Sequence, residues 1–545
     1  MLLSHARVKR PSSTKIQSRN GVRYVYQVVG QTYNKDKKYT VDKRKVIGKM
    51  IDDEWMIPNE AFSDFYPDVP VEMEYPDFSD TLKTGTFLVI RKIMKDLQIT
   101  DLLEGVFEER AHFIEDVVSY IVSAQSCTFQ HYSSFMRNHP QIEDKVRDDT
   151  MISRLLGTIG DEEVGLFLTA WNEMQKNDNF IYIGYDSTNF NSYAKGIELS
   201  DYGKAKLDEG LPQINLSYSV RQDDSMPLFY ELYDGSIIDN EQFIWMAQMA
   251  KEYGYKNIGF LLDRGYISEK NISAMRRNGY AFILMLKENQ MVCQEVLEEN
   301  GALLSTLEGY YIPEHGVYGM TVRKELYGEK TNIHIFYDDV RASEEKKALM
   351  ERCHAWENEL DKMVERKTCR AEETKKYEKL FRLHYDMNGY LQGYERNSRA
   401  IRKELKKPGY FFIASSEDMD AAAVLDIYRG RDNIEKLFRS LKSGIDFEKA
   451  RVHTTESLKA KVLLVFIAMI IRNEMFQKMR GLKKKNRKYY TVPGVISELE
   501  NIECTRNNKG RYRRKYALTA KQKAILKEFG IDEKYLDNAI SEYNY

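Results

Sequence analysis

One segment of the sequence places four polar side chains at helical spacing. The segment YRGRDNIEKLFRSLK begins with Tyr428, and Arg431, Glu435 and Lys442 follow it by 3, 7 and 14 residues. On an α-helix these offsets bring the four side chains within roughly 60° of arc on one face. A helix face that only contacts solvent usually alternates charges and carries no tyrosine. One acid together with three side chains able to contact phosphate therefore indicates that this row of residues has a function.

Two aspartates occur in strand-like segments far from this helix. Asp186 lies in IYIGYDST, and Asp263 closes the apolar run IGFLLD before Arg264 and Gly265 turn the chain away. A carboxylate beside a buried strand is costly unless something pairs with it. A ligand at the end of a central strand is held rigidly. Either aspartate alone would be interpreted as a strand-end or capping residue, so the argument depends on all three acids together.

These segments together resemble a known enzyme family. The helical row matches the Y-x2-R-x3-E-x6-K signature of bacterial insertion-sequence transposases of the family-four type, which are DDE transposases. The D-S-T of Asp186 and the D-R-G-Y of Asp263 resemble the first and second acidic motifs of that family. The three motifs occur in the family's order and on the expected kinds of element. The resemblance implies a catalytic core with a ribonuclease-H-like fold.

The resemblance also implies a metal-dependent reaction on DNA. Asp186, Asp263 and Glu435 would hold two Mg²⁺ (or Mn²⁺) ions, and carboxylate oxygens suit these hard cations. One ion would activate a water or a 3′-hydroxyl, and the other would stabilise the leaving oxygen. Such an enzyme cleaves at transposon ends and transfers the freed strand into target DNA. Its partner would be double-stranded DNA, namely terminal inverted repeats and target DNA, bound by a homodimer.

Further residues are implied as DNA contacts. By the same resemblance, Tyr428, Arg431 and Lys442 would hold phosphates beside the cut, arginine bidentately and lysine as a point charge. Arg264, next to the second acidic motif, is a further candidate for DNA contact. Trp356 lies in the region where some relatives stack an aromatic residue on a base during hairpin formation. Its neighbours (RCHAWENEL) are helical and polar, so an exposed or packed tryptophan is the favoured interpretation.

The elements that must position these residues describe an α/β protein. We predict a ribonuclease-H-like mixed five-stranded sheet flanked by helices and interrupted by an insertion domain, because three strand-like runs are followed by alternating helices and strands. The predicted parts are a β-rich region (1–80), a helical domain with a DNA-binding role (81–178), the first part of the core (179–286), an insertion that is β and then helical (287–405), the second part of the core with one helix over 419–442 (406–478), and a basic C-terminal region for DNA binding or dimerisation (479–545).

That C-terminal region interleaves basic residues with tyrosines. Its basic residues could neutralise phosphates and Tyr489, Tyr490 and Tyr512 could pack on sugars or bases. A solvated linker is the alternative, and we favour DNA contact. The candidate basic residues are Lys483, Lys484, Lys485, Arg487, Lys488, Arg511, Arg513 and Arg514, with Lys515 beside them.

The composition is that of an intracellular globular protein. The chain has 545 residues, of which 42% are hydrophobic and 30% charged, so several domains with apolar cores are expected. The net charge of −1 leaves DNA binding to local patches. Five scattered cysteines predict neither a zinc cluster nor a disulfide framework. The start lacks a signal-peptide core, and the longest apolar run, Val462 to Ile471, is too short to span a bilayer. We therefore expect a cytoplasmic, nucleoid-associated protein.

Three functions remain open at this stage. The first is an active cut-and-paste transposase. The second is a DNA-binding protein descended from a transposase that no longer catalyses, and the third is a nuclease of the same fold that cuts without joining. The complete acidic triad favours an active enzyme, and the row from Tyr428 to Lys442 weakly favours a transposase over a nuclease.

Overall fold

A computed structural model gives the fold of the chain. It describes residues 6–19, 21–34, 38–73, 79–143, 145, 147–176, 179–203, 210–304, 308–366, 369–482, 490–506 and 511–543. Lys483, Lys484, Lys485, Arg487 and Lys488, together with Tyr489, lie outside the described residues.

The N-terminal part of the chain forms an antiparallel sheet with the strand order β2-β3-β4-β5-β1-β6. Its strands alternate β-branched or aromatic residues with polar ones, which favours strands with one buried face. Its elements are β1 (Ala6–Lys9), β2 (Lys15–Arg19), β3 (Val22–Asn34), β4 (Tyr39–Met50), β5 (Trp55–Pro58), the short helix α1 (Phe62–Phe65) and β6 (Glu72–Met73).

A helical part follows, as its three- and four-residue apolar spacing predicts. One helix start is fixed by a side-chain cap, since the carboxylate of Asp148 accepts a hydrogen bond from the backbone N–H of Met151. The elements are β7 (Thr81–Lys83), α2 (Gly85–Asp96), α3 (Ile99–Phe107), α4 (Ala111–Ala124), α5 (Tyr132–Met136), α6 (Asp149–Leu156) and α7 (Asp161–Gln175).

The central sheet begins with an antiparallel meander and continues with two parallel strands. Its first elements are β8 (Ile181–Asn191), β9 (Gln213–Arg221), β10 (Pro227–Asp234), α8 (Asp239–Glu252), β11 (Ile258–Leu262), α9 (Glu269–Arg277) and β12 (Ala281–Met285). β8 pairs antiparallel with β9 and parallel with β11, so it lies at the centre of this part. The runs of β11 and β12 are almost wholly buried, which explains why they read as continuous apolar segments.

The next elements continue this sheet and add a small helical unit. They are α10 (Met291–Leu304), β13 (Tyr311–Ile312), β14 (Val317–Leu326), β15 (Glu329–Tyr337), α11 (Asp339–Arg366), α12 (Ala371–Thr374), β16 (Phe381–Tyr385), β17 (Leu391–Arg396), α13 (Ser398–Glu404) and β18 (Tyr410–Ser415).

Within the described residues the central sheet has nine strands, whereas five were predicted. Its order is β10-β9-β8-β11-β12-β18-β15-β14-β13. β13, β14 and β15 of the segment 287–405 therefore extend the core sheet, whereas β16 and β17 pair with each other in the part from α11 to α13, which has a small core of its own. The physical reason is that β12 would otherwise expose an unpaired edge, which β18 covers by pairing Ile283 with Ser415.

The predicted single helix over 419–442 is two helices. They are α14 (Ala421–Arg429) and α15 (Asp432–Ile445), separated by Gly430 and Arg431. Glycine is a weak helix former, and the backbone N–H of Arg431 bonds the carbonyl of Tyr428 in a tighter turn. As a result, Tyr428 lies on a different helix from Glu435 and Lys442.

A long central helix joins the core to the helical part. α16 (Thr455–Arg480) packs on α4 and α7 and also on β10. Its segment from Val462 to Ile471 is buried on all sides, as predicted for a core helix. Within the described residues, no helix combines the length and apolar character that a membrane span requires.

The C-terminal region is folded onto the helical part. Its elements are α17 (Val492–Leu499), β19 (Glu503–Arg506), β20 (Tyr512–Arg514), α18 (Ala520–Glu528) and α19 (Glu533–Ser541). β19 pairs with β20 and with β7, so strands far apart in the chain share one sheet. The linker interpretation is therefore wrong for the described residues of this region, which contribute to the same hydrophobic core as α2–α7.

Candidate active site

The first two acids lie level with each other on neighbouring parallel strands. The register pairs Gly184 of β8 with Leu261 of β11, and Asp186 and Asp263 each follow two residues later. Asp186 is in the middle of β8, opposite Tyr218 of β9. Asp263 comes directly after β11. The parallel pairing therefore brings both carboxylates to the same region of the sheet.

Backbone groups orient these two carboxylates. Asp186 Oδ1 accepts a hydrogen bond from the backbone N–H of Ser187 at 2.8 Å. Asp263 Oδ1 accepts one from the N–H of Arg264 at 2.6 Å, at the start of a short 3-10 turn (Arg264–Tyr266). In each case the other oxygen, Oδ2, faces Arg431. The aspartates thus present fixed oxygens to a common point.

One guanidinium contacts all three acids. Arg431 Nη2 lies 3.4 Å from Asp186 Oδ2 and 3.4 Å from Asp263 Oδ2, while Nη1 lies 3.0 Å from Glu435 Oε1. The two aspartate oxygens can therefore be no further apart than twice 3.4 Å. Glu435, in the first turn of α15, completes the group. The structure brings together the three acids that were predicted to converge.

The charges at this site are strongly coupled. Burial lowers the pKa of Arg431, but Tyr428 and the three carboxylates raise it by more, so the net shift is upward and the guanidinium stays charged. Three carboxylates facing one cation leave an excess of negative charge, and clustered carboxylates repel until cations neutralise them. The arrangement therefore attracts further positive charge.

The donor chemistry fits divalent metal ions. Carboxylate oxygens are the preferred ligands of Mg²⁺ and Mn²⁺, and three such groups converge here. In the described part of the chain, no group of three histidine, cysteine or acidic residues is already arranged to hold a metal ion. At the converging acids the physical reason is visible, because Arg431 lies between the carboxylates. Metal binding at this point requires the guanidinium to turn away.

The other residues of the row occupy different environments. Tyr428 is only 8% exposed and packs with Leu261 and Ile283 in an apolar cluster, and burial raises its pKa above the usual range. Lys442 is half-buried on α15, two turns beyond Glu435. Arg264 is exposed beside Asp263. Of the predicted phosphate contacts, Arg431 lies among the acids and Tyr428 is packed in the core.

Tyr266 is a site residue that the motif contained but that received no role. Its hydroxyl donates to Asp186 Oδ1 at 3.2 Å and lies 2.9 Å from Ser187 Oγ. The side chain is 4% exposed and packs against Tyr185 and Phe243. Its position as the last residue of D-R-G-Y was the available signal. Tyr266 therefore positions the carboxylate of Asp186.

Replacing Tyr266 by phenylalanine is expected to weaken metal binding without altering the packing. Partners that orient a metal ligand typically contribute 10- to 100-fold in metal affinity, so the Mg²⁺ concentration for half-saturation of the three acids, measured by isothermal titration calorimetry, should rise about tenfold in Tyr266→Phe. The matched control is Tyr280→Phe, a buried tyrosine that packs against Phe260. An unchanged Mg²⁺ dependence in Tyr266→Phe would show that the hydroxyl has no positioning role.

Three other residues predicted to contact DNA lie far from the three acids in the chain, in the helical insertion and on β20. Trp356 lies on α11 and packs edge-on against Tyr377 in the core of the helical insertion, which agrees with the packed interpretation. Arg513 is exposed on β20. Arg514 forms ion pairs with Glu533 at 2.7 Å and Asp537 at 3.3 Å. Its charge is thus paired with two acids within the chain, and its contact with a phosphate stays a prediction.

Three further C-terminal residues were predicted to contact DNA, namely Tyr512, Tyr490 and Arg511. Tyr512 is 3% exposed within the hydrophobic core, so the interpretation that it packs on sugars or bases is wrong. Tyr490 is half-buried and packs against the same core. Arg511 is exposed at the start of the described C-terminal segment. Of the predicted contacts in the described part of this region, Arg511 and Arg513 are exposed and Tyr512 is buried.

Comparison with known proteins identifies the family. The model of the family described as the transposase DDE domain matches residues 186–471. This match covers more than half of the 545 residues. The chain belongs to this transposase family. The matched region begins at Asp186 and includes Asp263 and Glu435, so all three converging acids lie inside the transposase domain.

A solved structure is also similar to this transposase. It is described as the cryo-EM structure of the piggyBac transposase synaptic complex with hairpin DNA. The two chains share 10% sequence identity, the alignment covers 84% of this chain and 74% of that chain, and the TM-score is 0.35. Among curated proteins, none matched the chain.

Proposed function

We propose that this DNA transposase cleaves DNA at the ends of a mobile element and joins the freed strands to target DNA, using divalent metal ions held by Asp186, Asp263 and Glu435. The observation that carries the proposal is the contact of one guanidinium, that of Arg431, with all three carboxylates. Acids that a single cationic group can reach are close enough to share metal ions.

The sheet and the helix contribute differently to this site. Asp186 and Asp263 are held by adjacent parallel strands and by backbone N–H groups, so their oxygens are fixed before DNA binds. Glu435 comes from a helix, and its side chain is 51% exposed. Two Mg²⁺ or Mn²⁺ ions, when bound, would activate the attacking oxygen and stabilise the leaving oxygen. The meander followed by two parallel strands supports the ribonuclease-H-like core that the motifs implied.

Arg431 would change partners when metal and DNA arrive. With the carboxylates neutralised by metal ions, its guanidinium is free to contact a phosphate beside the scissile bond, and a planar fork suits bidentate phosphate contacts. Lys442 lies further along the same helix and would contact a neighbouring phosphate as a point charge. Both residues would therefore orient the DNA strand relative to the three acids.

The direct test uses the full chain and its own DNA. Short inverted repeats beside the gene would supply the substrate, a duplex that joins one repeat to flanking DNA. With Mg²⁺ or Mn²⁺ we expect a strand break at the boundary and joining of the new 3′-hydroxyl to a plasmid target, both absent in EDTA. Binding without cleavage would indicate a transposase-derived DNA-binding protein, and cleavage without joining would indicate a nuclease.

The assembly and location follow from the same proposal. Joining two ends of one element requires two active sites, so a homodimer with one end per chain is proposed, acting at the nucleoid in the cytoplasm. Light scattering of the chain with and without end DNA would measure the stoichiometry. Two chains per pair of ends is the expected result.

A further inference from the structure

A cavity beside α15 contains a buried arginine with no acidic partner among the described residues. The cavity has a volume of about 440 Å³ and lies between α15, the C-terminal half of α16 and the segment 490–493. Arg472 of α16 lines it and is 4% exposed. Among the described residues, no carboxylate lies within ion-pairing distance of its guanidinium.

The hydrogen bonds of Arg472 leave part of the guanidinium unused. Nε donates to Ser440 Oγ at 3.2 Å, whereas the buried Nη1 has no hydrogen-bond partner. Gly444 makes room for the group, because a Cβ at that position would lie 2.8 Å from Nη2. Burial lowers the pKa of Arg472 to about 10, which still leaves it charged at neutral pH. A buried, unpaired charge is strongly unfavourable unless a ligand neutralises it.

The cavity lining is suited to an anion that carries apolar surface. Lys436 and Arg439 are exposed residues of α15 that also line it, and none of the described residues lining the cavity is acidic. Leu437, Met469 and Val492 supply an apolar wall. The volume lies in the range of about 300–1,000 Å³ that is typical of ligand pockets. The cavity is therefore larger than a single small inorganic anion would fill.

The position on α15 favours one source for this anion. Glu435 immediately precedes Lys436, and Arg439 and Ser443 follow Glu435 by roughly 6 and 12 Å along the helix at ~1.5 Å per residue. A DNA strand that reaches Glu435 would therefore pass the mouth of the cavity. We propose that the cavity holds a backbone phosphate of the bound DNA strand, with Arg472 contacting the phosphate and the apolar wall packing against the deoxyribose.

This inference rests on the proposed function only in requiring that the chain binds DNA. The test measures the affinity of the full chain for the end duplex at several NaCl concentrations, for the wild type, Arg472→Met and the control Arg480→Met. Arg480 is an exposed residue at the end of the same helix and does not line the cavity. Arg472→Met should bind about tenfold more weakly, the scale of one charge-assisted hydrogen bond.

The salt dependence separates a phosphate contact from a structural role. Each phosphate contact adds about 0.9 to the slope of log affinity against log salt, so the slope should be smaller by about that amount in Arg472→Met and unchanged in Arg480→Met. Because the variant removes an uncompensated charge, the melting temperature of the free protein should stay constant or rise by about 2–4 °C. Equal slopes for wild type and Arg472→Met would overturn the proposal.

A second variant and a measurement with inorganic phosphate ensure that the proposal can be refuted even if Arg472→Met does not fold. If Arg472→Met fails to fold, Gly444→Ala displaces the guanidinium while keeping its charge, and the same loss of slope is expected. If inorganic phosphate raises the melting temperature of the wild type but the DNA slopes do not differ, the site takes a free phosphate and the DNA proposal is wrong. A wild type that binds no DNA refutes the proposed function, whereas normal binding and nicking with equal slopes refutes this inference alone.

Discussion

Replacing Glu435 by glutamine is expected to lower DNA nicking at least ~10³-fold, which corresponds to about 4 kcal/mol in the activation barrier. An amide oxygen carries no charge, so only two carboxylates would remain to hold two divalent cations. DNA affinity should stay within about twofold of the wild type, because binding depends on basic residues elsewhere. Single-turnover nicking and fluorescence anisotropy on the same end duplex measure the two quantities.

The matched control for this variant is Asp432→Asn. Asp432 is an exposed acid in the same first turn of α15, and among the described residues it makes no contact with Arg431 comparable to that of Glu435. Nicking by this control should be close to that of the wild type. If Glu435→Gln cuts DNA normally, the assignment of the site is wrong, whatever the behaviour of the two aspartates.

Replacing Arg431 by methionine is expected to change metal binding and nicking in opposite directions. The guanidinium now lies among three carboxylates, so its removal should tighten Mn²⁺ binding about tenfold, measured by titration of free Mn²⁺ with electron paramagnetic resonance. Without metal, the melting temperature should fall by about 2–4 °C because the carboxylates repel. Nicking should fall about 100-fold, since the proposed contact of Arg431 with a DNA phosphate would be lost.

Arg429→Met serves as the control for Arg431→Met. Arg429 ends α14 and its guanidinium contacts His315 rather than the acids. Its metal affinity should match that of the wild type. Weaker Mn²⁺ binding in Arg431→Met than in Arg429→Met would contradict the view that Arg431 competes with metal ions for the carboxylates.

Arg431 illustrates what the spacing of residues in the sequence can predict about the site. The spacing of Arg431 and Glu435 predicted that both would lie on one helix face, and they do face each other across one turn. The same spacing placed Tyr428 on that face, but the chain turns at Gly430 and the tyrosine packs into an apolar cluster. A periodicity argument assumes an unbroken helix, so it failed where a glycine interrupts one.

Local sequence patterns gave even less information about which strands pair with each other. β14 and β15 were predicted as strands of an insertion, but nothing in their residues indicated that they would extend the sheet of Asp186 through β18. The C-terminal region likewise looked like a basic tail, yet β19 pairs with β7 more than 400 residues away in the chain. Partner choice depends on which edge is left uncovered after the rest has folded.

The sequence by itself determined the three acidic motifs, their order, the kinds of element that carry them and hence the transposase family. These features depend on the residue types and on the periods of helix and strand, which are local. Only the tertiary structure decided that Arg431 lies among the carboxylates, that Tyr266 holds Asp186 and that Arg472 is buried without an acid. Each of these depends on distances between residues far apart in the chain, and such distances result from the packing of the whole core.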